Sequence, residues 1–248
     1  MTEQTRPYDV AADALFLDFD GTLVDLAPQP DGIVVPPELI TLLQQIQLES
    51  DGALAIVSGR PLDQLDFFLA PLRLPAAGVH GAERRTADGR ILQQPVPDVQ
   101  HLRERLLPLV DSHSGLQLEL KRGALALHYR HAAHLEQRCV DAMMEALRHE
   151  PGFTLLHGKM VVEAKPHINK GDAVAAFLHE APFRGRRPVF IGDDVTDEAG
   201  FAIAQGEVFG GLGIKIGAGP TQALQRLADP AAVLGLLRQS MEVRSTSG

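Results

Sequence analysis

Asp18 and Asp20 stand two residues apart at the end of a short apolar run, ALFL (14–17), and are followed by Gly21 and Thr22. Two carboxylates so close repel each other unless a proton or a cation intervenes. A hard divalent ion with oxygen ligands answers that need, and Mg²⁺ commonly joins one or two carboxylates to a substrate phosphate. One carboxylate can then attack phosphorus to give an aspartyl-phosphate. The other can protonate the leaving alkoxide and later activate water. Gly21 permits an unusual backbone turn, and Thr22 can tie the loop by hydrogen bonds. A bare D-x-D is usually a solvated turn; DFDGTL after an apolar strand carries much more weight.

Three further segments place polar groups after a strand or at a helix start. Ser58, followed by Gly59, ends the run ALAIV (53–57); its hydroxyl and nearby N–H groups could receive phosphate oxygens, although Ser-Gly alone is ordinarily just a turn. Lys170 follows Asn169, a plausible N-cap, with Asp172 in the first turn. A lysine at a helix start opposes the dipole preference, so it needs a reason, and balancing charge on a phosphate and an attacking carboxylate is one. GDDVTDE (192–198) packs four acids into six positions after PVFI, which is expensive without a neutralising cation.

The elements that must hold these groups alternate. Apolar runs at 14–19, 53–57 and 76–79 are separated by helices opening near Pro36 and Pro61. After residue 165 come a helix from Lys170, strands at 188–191 and 212–216, a helix at 198–204, and helices after Pro220 and Pro230. This pattern predicts a parallel α/β sheet covered on both faces, whose strand ends form a ligand crevice. Between them the order is helix, hairpin, helix, hairpin, which is an α+β unit. At 116–121, Leu116, Leu118 and Leu120 alternate with Gln117, Glu119 and Lys121; at 160–165, Val161, Glu163 and Lys165 share one face. That polar face is either simply solvated or a surface for sugar hydroxyls.

Composition narrows the classes. With 23 Lys and Arg against 32 Asp and Glu, the formal charge of −9 disfavours nucleic acid as a partner. One cysteine, Cys139, excludes an intrachain disulfide and a multi-cysteine zinc site. No basic-then-apolar leader is evident, and no apolar run approaches the ~18 residues that span a bilayer. The expectation is a cytoplasmic, monomeric protein acting on a small molecule, without membrane or nucleic-acid partners.

Taken in order and spacing, the four segments resemble the motifs of the haloacid dehalogenase superfamily of phosphohydrolases. DFDGTL (18–23) is similar to the first, Ser58 the second, Lys170 the third and GDDVTDE the fourth. The likeness extends to the trehalose-6-phosphate phosphatase family through VSGRP (57–61), GVHGAE (78–83), LELKRGALALHYR (118–130), GKMVVEAKP (158–166) and KIGAGPTQA (215–223). The resemblance implies a Rossmann-like parallel-sheet core (1–93 and 166–248) with an inserted α+β cap (94–165) that sets specificity. It implies Mg²⁺-dependent hydrolysis with Asp18 as nucleophile, Asp20 as acid and base, and Ser58 and Lys170 as phosphate-side catalytic groups. Asp18, Asp193 and Asp20, the last through its backbone carbonyl, would hold the ion, while Asp194 and Asp197 order the loop or metal waters. Ser58, Gly59 and Arg60 would bind the phosphate end of the substrate, and Glu119, Lys121 and Glu163 the sugar. The rivals are a phosphatase for another sugar phosphate such as sucrose 6-phosphate, a phospho-accepting signalling domain, and a dead-site scaffold. The second acid at Asp20, the cap, and the filled catalytic positions weigh against the last two.

Overall fold

Every residue of β1 (Asp13–Leu17) is buried, as expected of a strand covered on both faces. The computed structural model describes residues 8–26, 32–94, 97–121, 123–158 and 160–245, without the side chains of Lys121 and residues 243–245. The chain continues through α1 (Pro37–Glu49), β2 (Leu54–Val57), α2 (Leu62–Phe68), β3 (Ala76–Gly78), β4 (Glu83–Arg85) and β5 (Ile91–Gln93). Pro36 and Pro61 sit at the N-caps of the two helices. Then follow α3 (Gln100–Asp111), β6 (Gln117–Lys121), β7 (Ala124–His128), α4 (Glu136–Leu147), β8 (Phe153–Gly158) and β9 (Val161–Pro166). The last stretch holds α5 (Lys170–Leu178), β10 (Arg187–Gly192), α6 (Glu198–Gln205), β11 (Leu212–Ile216), β12 (Gln225–Leu227) and α7 (Pro230–Ser245).

Two units result, one of residues 1–93 and 169–248, the other of residues 94–168. The boundary falls at Asn169 because β9 runs on to Pro166 and the chain stays with it until the cap of α5.

In the first unit eight strands lie in the order β12-β11-β10-β1-β2-β3-β4-β5. Period-2 alternation sends Leu15, Leu17, Ile56, Ile191 and Ile214 to one core. Phe16, Ala55, Val57 and Phe190 go to the other, against Phe177 and Phe201. Two expectations are corrected. The sheet is not wholly parallel, since β4 and β5 add an antiparallel edge. No helix follows Pro220: residues 225–227 pair with Ile214–Ile216 instead. The main-chain demand of the exposed edge of β11 outweighs the weak helical period of ALQRLA, and Gln222 ties the preceding loop to Glu198.

The second unit is a four-stranded antiparallel sheet in the order β6-β7-β9-β8. One face carries Leu125, Leu127, Val162 and Ala164 into a core with Leu102 and Leu106 of α3 and Cys139 and Met143 of α4.

Candidate active site

Strand β1 lies between β2 and β10, both parallel to it, with Leu17 level with Ile56 and Ile191. The residues that follow these three strands therefore meet at one end of the sheet, where the carboxyl ends of parallel strands form a crevice. The Asp18 amide donates to the Ile191 carbonyl at 2.9 Å, fixing the start of the first loop beside the acidic loop 192–198.

Lys170 explains itself at this point. Asn169 and Asp172 form a reciprocal capping box at the start of α5, so the helix begins at a defined place. The lysine that follows is 2% exposed, and its Nζ donates to Asp18 Oδ1 and to Asp197 Oδ1, each at 2.7 Å. Burial works against this charge, but Asp18 and Asp197 outweigh it and hold the ammonium well above the usual lysine range. Burial also pushes Asp18 up to about 6, despite the opposing pull of Lys170. Asp197 is pushed to about 6 by burial and then by the charge on Asp18. Desolvation raises Asp193 as well, opposed by its hydrogen bond with Asp18 and aided by the charges on Asp197 and Asp194.

Asp18, Asp193 and Asp197 bring carboxylate oxygens within 4.8 Å of one another. An all-oxygen donor set, with Asp18 and Asp197 buried and Asp193 half-buried, suits a hard divalent cation such as Mg²⁺. The three are not equivalent. Asp197 Oδ1 accepts from Lys170, and its Oδ2 accepts the amides of Asp193 and Asp194 at 3.0 and 2.9 Å. With both oxygens occupied, Asp197 shapes the loop and holds Lys170, which leaves Asp18 and Asp193 as the carboxylates best placed for a cation. Two glycines make room for this packing. A Cβ on Gly21, where φ is +73°, would lie 2.2 Å from Asp193 Oδ2, and one on Gly192 would lie 2.3 Å from Asp197 Cγ. The other acids of the run go elsewhere: Asp194 is exposed and accepts from the Val195 amide, and Glu198 accepts from Gln222.

Asp20 turns away from this cluster. Its two oxygens accept from Arg60 Nε at 2.7 Å and Nη2 at 2.8 Å. Arg60 also donates to Gln64 and lies 4.9 Å from the Phe68 ring centroid, so the guanidinium expected on substrate phosphate is placed on Asp20. Ser58 is 1% exposed and its Oγ accepts the Arg60 amide at 3.2 Å. Gly59 packs against the ring of His80, whose amide donates to the Ser58 carbonyl. Thr22, expected to tie the first loop by its hydroxyl, is fully buried with Oγ1 unpartnered among the described residues. The loop is closed by its backbone instead, through Gly21 N–H to the Val24 carbonyl and Leu23 N–H to the Phe19 carbonyl.

In the second unit Glu119 and Glu163 are both level with Ala126. They flank one small residue on the same face, about 10 Å apart at the usual strand spacing. His128, which pattern reasoning passed over, pairs with Glu119 at 2.8 Å. Its signal was its place two residues beyond Ala126, hence on the polar face. A cavity of about 760 Å³ borders Glu119 and His128 along β6, lined also by Val110, Leu116 and Leu118 of the apolar side and by Arg130 and His131. The side chain of Lys121 lies outside the described residues, although its backbone belongs to β6.

Against known proteins, the family model described as trehalose-phosphatase matches residues 16–231. The trehalose-6-phosphate phosphatase of Escherichia coli (strain K12) is 45% identical over 218 residues, covering 87% of this chain and 81% of that protein. The crystal structure of a trehalose-6-phosphate phosphatase related protein superposes with a TM-score of 0.71 at 26% identity, over 94% of this chain and 99% of the other. A haloacid dehalogenase-like hydrolase from B. subtilis, 13% identical, shares the fold with a TM-score of 0.66, over 91% of this chain and 99% of its own. The match runs through both sheets and all four loops at the strand ends, and the chain belongs to the trehalose-phosphatase family on the haloacid dehalogenase fold.

Proposed function

We propose that this chain hydrolyses trehalose 6-phosphate to trehalose and phosphate, with Asp18 as the nucleophile and Mg²⁺ as cofactor. The observation that carries the chemistry is the buried Asp18 carboxylate held at 2.7 Å by Lys170 at the carboxyl end of β1, with Asp193 beside it. When bound by Asp18, Asp193 and the Asp20 backbone carbonyl, Mg²⁺ supplies charge neutralisation between carboxylate and phosphate. Lys170 fixes one oxygen of Asp18 and so sets the direction of the other. Asp18 attacks phosphorus in line, the bond from phosphorus to the sugar oxygen breaks, and Asp20 gives that oxygen its proton. Water then attacks the aspartyl-phosphate, Asp20 takes its proton, and the bond to Asp18 breaks to restore the carboxylate. The Arg60 fork holds both oxygens of Asp20. For the first half, one Asp20 oxygen must leave the guanidinium to carry a proton. Ser58 and neighbouring amides receive phosphate oxygens.

Sugar selection belongs to the second unit in this proposal. Support comes from the carboxylates of Glu119 and Glu163 on either side of Ala126, the cavity that borders Glu119, and the identity to the E. coli enzyme. Lys121 is assigned a sugar contact by the same family likeness. The protein is taken to act as a cytoplasmic monomer; no helix among the described residues is long and apolar enough to cross a membrane. The test is phosphate release with Mg²⁺ from trehalose 6-phosphate beside sucrose 6-phosphate and glucose 6-phosphate, with Asp18→Asn as the blank. Strong preference for the trehalose ester is expected. Better turnover of another ester would discard the sugar and keep the chemistry, and turnover by a contaminant-free Asp18→Asn sample would remove Asp18 as nucleophile.

A further inference from the structure

Strand β11 is buried along its whole length, yet its fourth residue is Lys215, 6% exposed. A charge in such a strand is costly unless it is paired or fully hydrogen-bonded. Its neighbours Ile214 and Ile216 enter the apolar core on the opposite face. Level with Gly192 in the adjacent strand, Lys215 donates from Nζ to the backbone carbonyl of Asp193 and, at 2.8 Å, to that of Ile216. The amide of Asp193 is held from the other side by Asp197 Oδ2 at 3.0 Å. Both polar groups of this residue's main chain are therefore gripped by buried charged side chains, one anionic and one cationic. With its backbone fixed, the Asp193 carboxylate is confined to the space beside Gly21, facing Asp18.

We infer that Lys215 is a positioning residue that holds the backbone of Asp193 so that its carboxylate is presented to the cation, and so sets metal affinity without touching substrate. The inference rests on Asp193 being a metal ligand, as proposed above. Outer-shell groups that orient a ligand are typically worth about 10- to 100-fold in metal affinity. Lys170 meets the nucleophile directly, whereas Lys215 acts only through the loop.

The experiment is calorimetric titration of MgCl₂ into the full chain, wild type, Lys215→Met and Lys215→Arg, with thermal unfolding of each metal-free protein alongside. The Kd for Mg²⁺ should rise about 10- to 100-fold in Lys215→Met. Lys215→Arg keeps the charge but its longer fork displaces the Asp193 carbonyl, so a smaller, several-fold rise is expected, and this variant decides the matter if the methionine protein does not fold. The affinity for inorganic phosphate at saturating Mg²⁺ should stay within about twofold of wild type, because Lys215 lies behind the loop. An unchanged Mg²⁺ Kd in a folded variant, even with a lowered unfolding midpoint, overturns the inference alone. Weakened phosphate binding with intact Mg²⁺ affinity does the same. A wild type without saturable Mg²⁺ binding removes the ligand assignment of Asp193 and this inference together.

Discussion

Three carboxylates, one of them the half-buried Asp193, and two buried lysines meet at the ends of β1 and β10. Asp18 and Asp197 are each raised to about 6 in the folded protein, from an ordinary value near 4 in an unfolded chain. Between about 4 and 6 the native state thus holds more of these protons than the unfolded one, so these groups reduce stability as pH rises through that window. A cation held by Asp18 must displace the proton of Asp18. The increase in unfolding temperature on adding Mg²⁺ should accordingly be small at pH 5 and reach its full size above about pH 7; an increase equal at both would show that Asp18 is not a binding group. Gly21 is tested differently. Gly21→Ala imposes a strained φ and drives a methyl group into the Asp193 carboxylate, so stability should fall by roughly 2 kcal/mol or more in urea unfolding. Mg²⁺ affinity should fall with it, and a stable, metal-binding alanine variant would show that the loop can rearrange.

At the level of elements, placement matters more than identity. The capping box that starts α5 delivers Lys170 to Asp18, and parallel pairing of β1 with β2 and β10 brings Ser58 and Asp193 to the same end. In the second sheet, antiparallel register sets Glu119 and Glu163 on one face across Ala126. Glu119→Ala should therefore lower kcat/KM for the trehalose ester far more than for 4-nitrophenyl phosphate, by roughly tenfold or more for a lost charged hydrogen bond. Equal losses on both esters would refute its part in sugar selection. His128 gives a reason for Glu119 to keep one rotamer, since its ring nitrogen meets Oε2.

Over the whole molecule, apolar packing is divided as the chain is. The first unit has cores on both faces of its sheet, and the second has its own, around Leu127, Met143 and Cys139. Leu127 is fully buried there, and Leu127→Ala should cost about 2–5 kcal/mol of local stability. Because Cys139 lies in the same core and is buried, its thiol should react faster with a labelling reagent in that variant. Turnover of the trehalose ester should fall while that of 4-nitrophenyl phosphate is largely kept. Unchanged Cys139 labelling would mean that the second unit does not open separately, and equal losses on both esters that it matters to the core chemistry.

The sequence by itself determined the alternating core, the α+β insertion and the four polar segments, because each is local: period-2 and helical spacing, prolines at helix starts, and acids directly after apolar strands. It also raised the question of a partner for Lys170, since a lysine at a helix start opposes the dipole preference, although that residue taken alone reads equally as an exposed lysine. It did not show the antiparallel edge of β4 and β5, whose strands are three residues each and carry no clear alternation. Nor did it distinguish β12 from a short helix, because that choice depends on an edge more than ten residues away. Only the tertiary structure decided how the acids divide. Asp197 spends both oxygens on Lys170 and the loop amides, Asp20 is taken by Arg60, and Lys215 reaches the Asp193 carbonyl from another strand. Apart from the contacts of Asp197 with the amides of its own loop, those pairings join groups far apart in the chain, where spacing carries no information and only the packing of the sheet brings them within hydrogen-bond distance.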